Sequence, residues 1–212
     1  MSLTFYYTPH SNASRIRISL NELGVPHETV LVDLKAGDQK KPTFLALNPN
    51  GKVPTIVLDG TPVFESVAVQ IALGERYGVE KGLWPRIGGA EHLQALTWLV
   101  WSQVSLASAL IRRMQNTSSY VPEDQHNAKQ AEAAQAEIQH LLGILDERLK
   151  DRAYLTGENI MLVDLDVAAT IVWGMHVVKL DVGRFARVKE WLGRVSGRPS
   201  FREEMPLPAS AA

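Results

Sequence analysis

Apolar positions along the chain change their rhythm once, and that change divides it. In roughly the first 80 residues, short apolar runs alternate with single helical stripes. Leu3 to Tyr7 is apolar and aromatic and predicts a strand. Thr8-Pro9-His10-Ser11-Asn12 breaks it. Ile16, Leu20 and Leu23 then recur at helical spacing, with Gly24 and Pro26 closing the helix. Glu28 to Leu34 predicts a second strand, and a helix between two strands makes them a parallel pair with a right-handed crossover. Pro42 to Leu47 predicts a short helix, followed by the turn-forming Asn48-Pro49-Asn50-Gly51. Two β-branched runs, 55–58 and 61–64, flank Asp59-Gly60, a strong hairpin signal because Gly tolerates the positive φ of a type I′ turn. From Ser66 to about Tyr77 the pattern is helical, with Val67, Ile71 and Gly74, or Ala68 and Ala72, as its expected buried side. The order is β-α-β-α-β-β-α.

After Gly78 the pattern is helical throughout. Residues 79–89 read as a linker, since residues 78–89 hold four glycines and a proline. From 90 to about 116, Leu93, Leu96, Val100, Val104 and Ala107 fall at helical spacing. A helix from Pro122 to about Lys150 carries Ile138, Leu141, Leu142, Leu145 and Leu149 on one face. Val163 to Val178 is almost entirely apolar and is expected to be the buried centre of a bundle. Arg184 to Ser196 is amphipathic, a short segment starts at Pro199, and residues 206–212 read as a disordered tail. The expected domains are therefore 1–78 and 90–212.

Composition narrows the chemistry. The 212 residues carry 22 Lys+Arg against 23 Asp+Glu, a net charge of -1, so no basic field points to nucleic acid. There is no cysteine, which excludes a disulfide scaffold, a cysteine nucleophile and a Cys-ligated metal. The six histidines show no metal-ligand spacing, so no metal is expected. The N-terminus has no signal-peptide pattern, and no apolar run approaches the ~20 residues of a membrane span. A cytoplasmic protein is the expectation. The stretch 51–66 gathers a proline, a hairpin, an acid and a hydroxyl at a helix start, which suits a small, charged, peptide-like ligand.

Four segments, spread through the chain in order, carry a family resemblance. Asn48-Pro49-Asn50-Gly51-Lys52-Val53-Pro54 resembles an NPxGxVP segment, and Phe64-Glu65-Ser66 an ES pair that opens a helix. Gly157 to Asp164 resembles the cap of a central helix, and Trp191 to Phe201 a penultimate helix ending in RPSF. Together they resemble the cytosolic glutathione S-transferases, bacterial and serine-type, similar to the phi, delta or theta classes. The resemblance implies a thioredoxin-like βαβαββα N-terminal domain, an all-α C-terminal domain and a homodimer. It departs at Met161, where relatives carry Ser or Thr, so the hydroxyl half of a capping box is lost at a cost of roughly 1 kcal/mol.

The resemblance also implies site residues. The Val53-Pro54 bond is expected to be cis, with Val53's backbone pairing with the cysteinyl backbone of glutathione. Glu65 would accept from the ligand ammonium, and Ser66 would donate to the γ-glutamyl carboxylate with help from the helix dipole. Lys52 and Lys40 are candidates for the glycine carboxylate. The thiol, with a free pKa of ~8.5, needs about 1.4 kcal/mol of thiolate stabilisation per unit of depression. Ser11 is the first candidate for that donor, with Tyr7, Tyr6 and Asn12 as alternatives and Ser14 behind them. His10, Trp101, Arg112 and Tyr120 are expected at the electrophile pocket, with Trp98 and Arg113 as neighbours. The expected activity is conjugation of the glutathione thiolate to small hydrophobic electrophiles. A glutathione-dependent dehalogenase, isomerase, peroxidase or reductase, or a noncatalytic binding module, are the alternatives.

Overall fold

In the computed structural model, which describes residues 2–208, Asp59-Gly60 joins β3 (Thr55–Leu58) to β4 (Thr61–Phe64) as an antiparallel hairpin. Both turn residues have positive φ, 48° and 83°, as a type I′ turn requires. β1 (Leu3–Tyr7) lies between β2 (Glu28–Leu31) and β3, parallel to the first and antiparallel to the second. The crossover between the parallel strands is α1 (Ser14–Leu23), which ends on Gly24 in the left-handed region at φ 58°. The fold class is the expected one. β2 stops at Leu31 rather than Leu34, because Asp33 Oδ1 accepts the N–H groups of Lys35 (2.9 Å) and Ala36 (3.0 Å) and curls the chain away.

A single 3₁₀ turn (Asp38–Lys40) and α2 (Pro42–Leu45) precede the hairpin, and α3 (Ser66–Leu73) follows it, continuing into a π-helical turn (Gly74–Gly78). The buried side of α3 is Ser66, Val69, Gln70 and Leu73, not either face expected from its aliphatic residues. The reason is a buried polar pair. Gln70 exchanges hydrogen bonds with Ser19 of α1, at 2.8 and 3.0 Å, and turns α3 onto that side.

The described residues divide into two compact units between Ile87 and Gly88. Most of the stretch expected as a linker therefore groups with the first unit. Trp84 is buried against the α3 extension, so closely that a Cβ on Gly74 would lie 2.3 Å from its indole.

In the second unit α4 (Ala90–Trp101), a π-helical stretch (Ser102–Ala107) and α5 (Ser108–Gln115) run on as one helix of 26 residues. By length and composition alone this helix is apolar enough to cross a membrane, unlike anything expected from the sequence. Ala95, Leu99, Leu106 and Leu110 are buried within the unit. Of the apolar positions at helical spacing, Ala107 is buried, while Leu93, Val100 and Val104 are exposed. α6 (Ala128–Arg148) starts at Ala128 rather than Pro122, where Asn127 Oδ1 caps it by accepting from the Gln130 N–H (3.1 Å). α7 (Leu162–Val178) is buried from Leu162 to Val172 and packs against α4, the π-helical stretch, α5 and α8 (Ala186–Ser196). α9 (Pro199–Glu204) is the last element.

The start of α7 keeps half of a capping box. Asp164 Oδ2 accepts from the Met161 N–H (2.9 Å), while Oδ1 accepts from the Leu155 N–H and from Trp191 Nε1, both at 2.9 Å. Met161 itself receives the Thr156 hydroxyl at its sulfur (3.2 Å). Of the tail expected to be disordered, Pro206 is tied down, its carbonyl accepting from His176 Nε2 (2.9 Å). Residues 209–212 lie outside the described residues.

Candidate active site

The 48–54 loop is fastened from within by one buried side chain. Asn48 Nδ2 donates to the Lys52 carbonyl (2.7 Å) and to the Thr55 hydroxyl (3.1 Å), and its Oδ1 accepts from the Asn50 N–H (3.0 Å). Gly51 is required twice over. Its φ is 60°, and a Cβ there would lie 3.0 Å from the Gln39 carbonyl oxygen. That approach brings the 3₁₀ turn carrying Lys40 beside the loop carrying Lys52. Both lysines are exposed and make no ion pair among the described residues, whereas Lys41 is paired with Asp38 at 2.6 Å. The Asp38 hydrogen bond raises the Lys41 ammonium, and the same bond lowers Asp38. Val53 and Pro54 are buried, and the peptide bond between them is cis.

The β4–α3 corner adjoins this loop. Asn50 Nδ2 donates to Glu65 Oε1 at 3.4 Å, so the side chain expected to meet an ammonium is already held by the loop. Glu65 sits at φ 67°, a conformation non-glycine residues rarely hold outside constrained sites. Its carbonyl accepts the Val69 N–H (2.9 Å) as the first bond of α3. Ser66 opens the helix, and its first-turn N–H groups together with its hydroxyl form a donor set suited to a carboxylate. The roles of Asn48 and Asn50 were missed in the sequence, where Asn-Pro-Asn-Gly signalled only a turn.

The β1–α1 connection settles which tyrosine is which. Tyr7 is 7% exposed, its ring tilted against Phe5 (5.4 Å) and lying under the Arg17 guanidinium (5.3 Å). Tyr6 lies on the opposite face of the strand with its ring edge-on to Phe44 (5.7 Å). Ser11 is half-buried and its hydroxyl is bound at both ends, donating to the Thr8 carbonyl (2.6 Å) and accepting from the Ala13 N–H (3.1 Å). His10, at φ 57°, and Asn12 are exposed. The Ser14 hydroxyl is buried at the start of α1, with no hydrogen-bond partner among the described residues.

In the second unit, Trp101 is half-buried and meets Trp98 edge-on at 4.9 Å. Trp98 is buried beneath the Arg148 guanidinium (5.7 Å). Arg112 is paired with Glu137, and Tyr120 is 77% exposed. Arg113 donates to the Ala131 carbonyl (3.2 Å). Among the described residues no three His, Asp or Glu side chains gather as a metal site.

Two family models match the chain, the glutathione S-transferase N-terminal domain over residues 11–76 and the glutathione S-transferase C-terminal domain over residues 111–199. The chain belongs to the glutathione S-transferase family. Within the family it is 29% identical to the disulfide-bond oxidoreductase YfcG of Escherichia coli, over 93% of this chain and 92% of that one. It is also 29% identical to glutathione S-transferase F10 of Arabidopsis thaliana, over 96% of each. Among solved structures, a glutathione transferase from Burkholderia graminis with two bound glutathione molecules per subunit superposes with a TM-score of 0.82. That chain is 26% identical, and the match covers 98% of this chain and 89% of it. A glutathione transferase homologue from Lodderomyces elongisporus, 19% identical, gives a TM-score of 0.86 over 98% and 99% of the two chains and shares the fold.

Proposed function

We propose that this family member binds glutathione in its first unit and adds the glutathione thiolate to small apolar electrophiles. The approach of the 48–54 loop to the β4–α3 corner, tied by Asn50 and Glu65, carries the reading. It sets a backbone strand edge at Val53, an acid at Glu65 and a helix N-terminus at Ser66 side by side. These match the three polar parts of a γ-glutamyl peptide: Val53 pairs with the cysteinyl backbone, Glu65 accepts from the ammonium, and Ser66 donates to the carboxylate. Lys52 and Lys40 take the glycine carboxylate. Ser11 activates the sulfur by turning its proton from the Thr8 carbonyl to the thiolate. The thiolate attacks the electrophilic carbon, a C–S bond forms, and the leaving group departs with its electron pair. The protein works in the cytoplasm as a homodimer.

A second reading is favoured by the likeness to YfcG, whose name is that of a disulfide-bond oxidoreductase. The chain has no cysteine, so a disulfide would be reduced by the bound glutathione itself. One thiolate cleaves the disulfide to a mixed disulfide and a free thiol. A second glutathione then resolves the mixed disulfide, yielding oxidised glutathione and the second thiol.

Retention on glutathione-agarose, followed by parallel assays with an electrophile panel and a small dialkyl disulfide, tests both readings. Retention with thioether products supports the first. Retention with oxidised glutathione formed only when the disulfide is present supports the second. Folded protein that passes through the column and catalyses neither reaction overturns both.

A further inference from the structure

Asn50 is the asparagine of this chain that glycine follows, and every other one precedes a residue with a side chain. That pairing has a chemical consequence. A backbone nitrogen can attack the side-chain carbonyl carbon of the asparagine before it, and glycine, without a Cβ, leaves its nitrogen least crowded. The Asn50 side chain is exposed, and its Nδ2 is held by an exposed carboxylate, Glu65 Oε1, at 3.4 Å. One contact opposes the attack. The Gly51 N–H donates to the Asn48 carbonyl (2.9 Å), so its nitrogen reacts only once that turn bond opens. Pro49 and Asn50 on the same turn are both exposed, and hydrogen bonds of exposed loops open locally at far less cost than the whole fold.

The step balances with water alone. Hydroxide takes the Gly51 amide proton, the nitrogen bonds to Asn50 Cγ, and the Cγ–Nδ2 bond breaks. Nδ2 leaves as ammonia with a proton from water, which restores the hydroxide. Water then opens the five-membered imide at either carbonyl, giving aspartate or isoaspartate. Both products act on the tie between the 48–54 loop and the β4–α3 corner. Aspartate sets a carboxylate where a donor faced Glu65, so repulsion replaces a hydrogen bond. Isoaspartate lengthens the backbone by one carbon beside Gly51, where a single Cβ would already lie 3.0 Å from the Gln39 carbonyl oxygen.

We propose that Asn50-Gly51 is a modification site, at which deamidation unfastens the 48–54 loop from Glu65 and turns the glutathione site down as the protein ages. The effect on glutathione rests on the function proposed above; the loosening of the loop does not. The full chain is aged in mildly alkaline buffer at body temperature, and peptide mapping by mass spectrometry, with an isoaspartate methyltransferase as label, follows each asparagine. Asn50 should lose its amide first. Asn50→Gln, which would have to close a six-membered ring, should keep its amide through the same incubation. Asn50→Asp supplies the aspartate product directly. Trypsin should cut it after the exposed Lys52 about fivefold faster than the native chain, and calorimetry should show glutathione bound about fivefold more weakly, the worth of one hydrogen bond. The proposal is overturned if Asn50 loses its amide no sooner than other asparagines, if Asn50→Gln forms acid at 50 equally fast, or if the aged and Asn50→Asp chains are cut after Lys52 at the native rate. It is overturned too if those chains bind glutathione as tightly as a native chain that binds it. Native protein that binds no glutathione before ageing refutes the proposed function instead, and cleavage after Lys52 still decides the loosening of the loop.

Discussion

Ser11 holds its proton against the Thr8 carbonyl and takes the Ala13 N–H, so the same hydroxyl that orders the entry to α1 is the proposed donor to sulfur. These duties separate in Ser11→Ala. Removing the acceptor for the Ala13 N–H should lower stability by about 1 kcal/mol, as loss of a helix-start cap does. Glutathione affinity should stay within about twofold, since the proposed carboxylate and ammonium contacts are elsewhere. The bound thiol should titrate at least about one unit higher, corresponding to roughly 1.4 kcal/mol of lost thiolate stabilisation. Thiolate absorbance across pH measures this, and an unchanged titration transfers the role to Asn12. At this scale the sequence narrows the choice without closing it. Strand alternation puts one of Tyr6 and Tyr7 inward, but only the sheet's packing face decides that it is Tyr7.

α7 starts on a buried carboxylate, and this makes the element's stability depend on pH. Burial pushes Asp164 up to about 6 from its ordinary 3.8, against the opposing pull of the Leu155, Met161 and Trp191 N–H donors. A group whose folded pKa is raised holds its proton longer in the folded than in the unfolded chain. The folded state therefore binds more protons between pH ~4 and ~6, and stability from this group falls as pH rises through that window. The change is on the order of 3 kcal/mol. Urea unfolding of the native chain and Asp164→Asn from pH 4 to 7 checks it. The difference, native minus variant, should decline with rising pH and level off above about 6, and a flat or rising difference refutes the assignment. Elements were legible where their signal is local: Gly24 after α1 and Asp59-Gly60 between β3 and β4 are set by backbone conformation. Their buried faces were not. α3 and the 90–115 helix are apolar on more than one side, and periodicity finds an apolar stripe without saying what covers it.

At the scale of the whole molecule, Leu93, Val100 and Val104 leave an apolar stripe on the 90–115 helix, at 59, 47 and 67% exposure. Such a stripe is costly to leave in water, and a second copy of the chain is its proposed cover. Sedimentation equilibrium should give twice the chain mass for the native protein and one chain mass for Val100→Glu/Val104→Glu. A native monomer at micromolar concentration rejects the homodimer. The order of elements and the fold class were determined by the sequence alone. Helix stops, turn residues and the 2.0 and 3.6 periods act within a few residues of themselves, so they can be read without knowing what lies across the fold. Only the tertiary structure decided that Gln70 and Ser19 pair in the first unit, that Asn50 reaches Glu65, and that Asp164 gathers three donors. Each depends on segments distant in the chain meeting in space, and burial belongs to that meeting rather than to any residue's own neighbours.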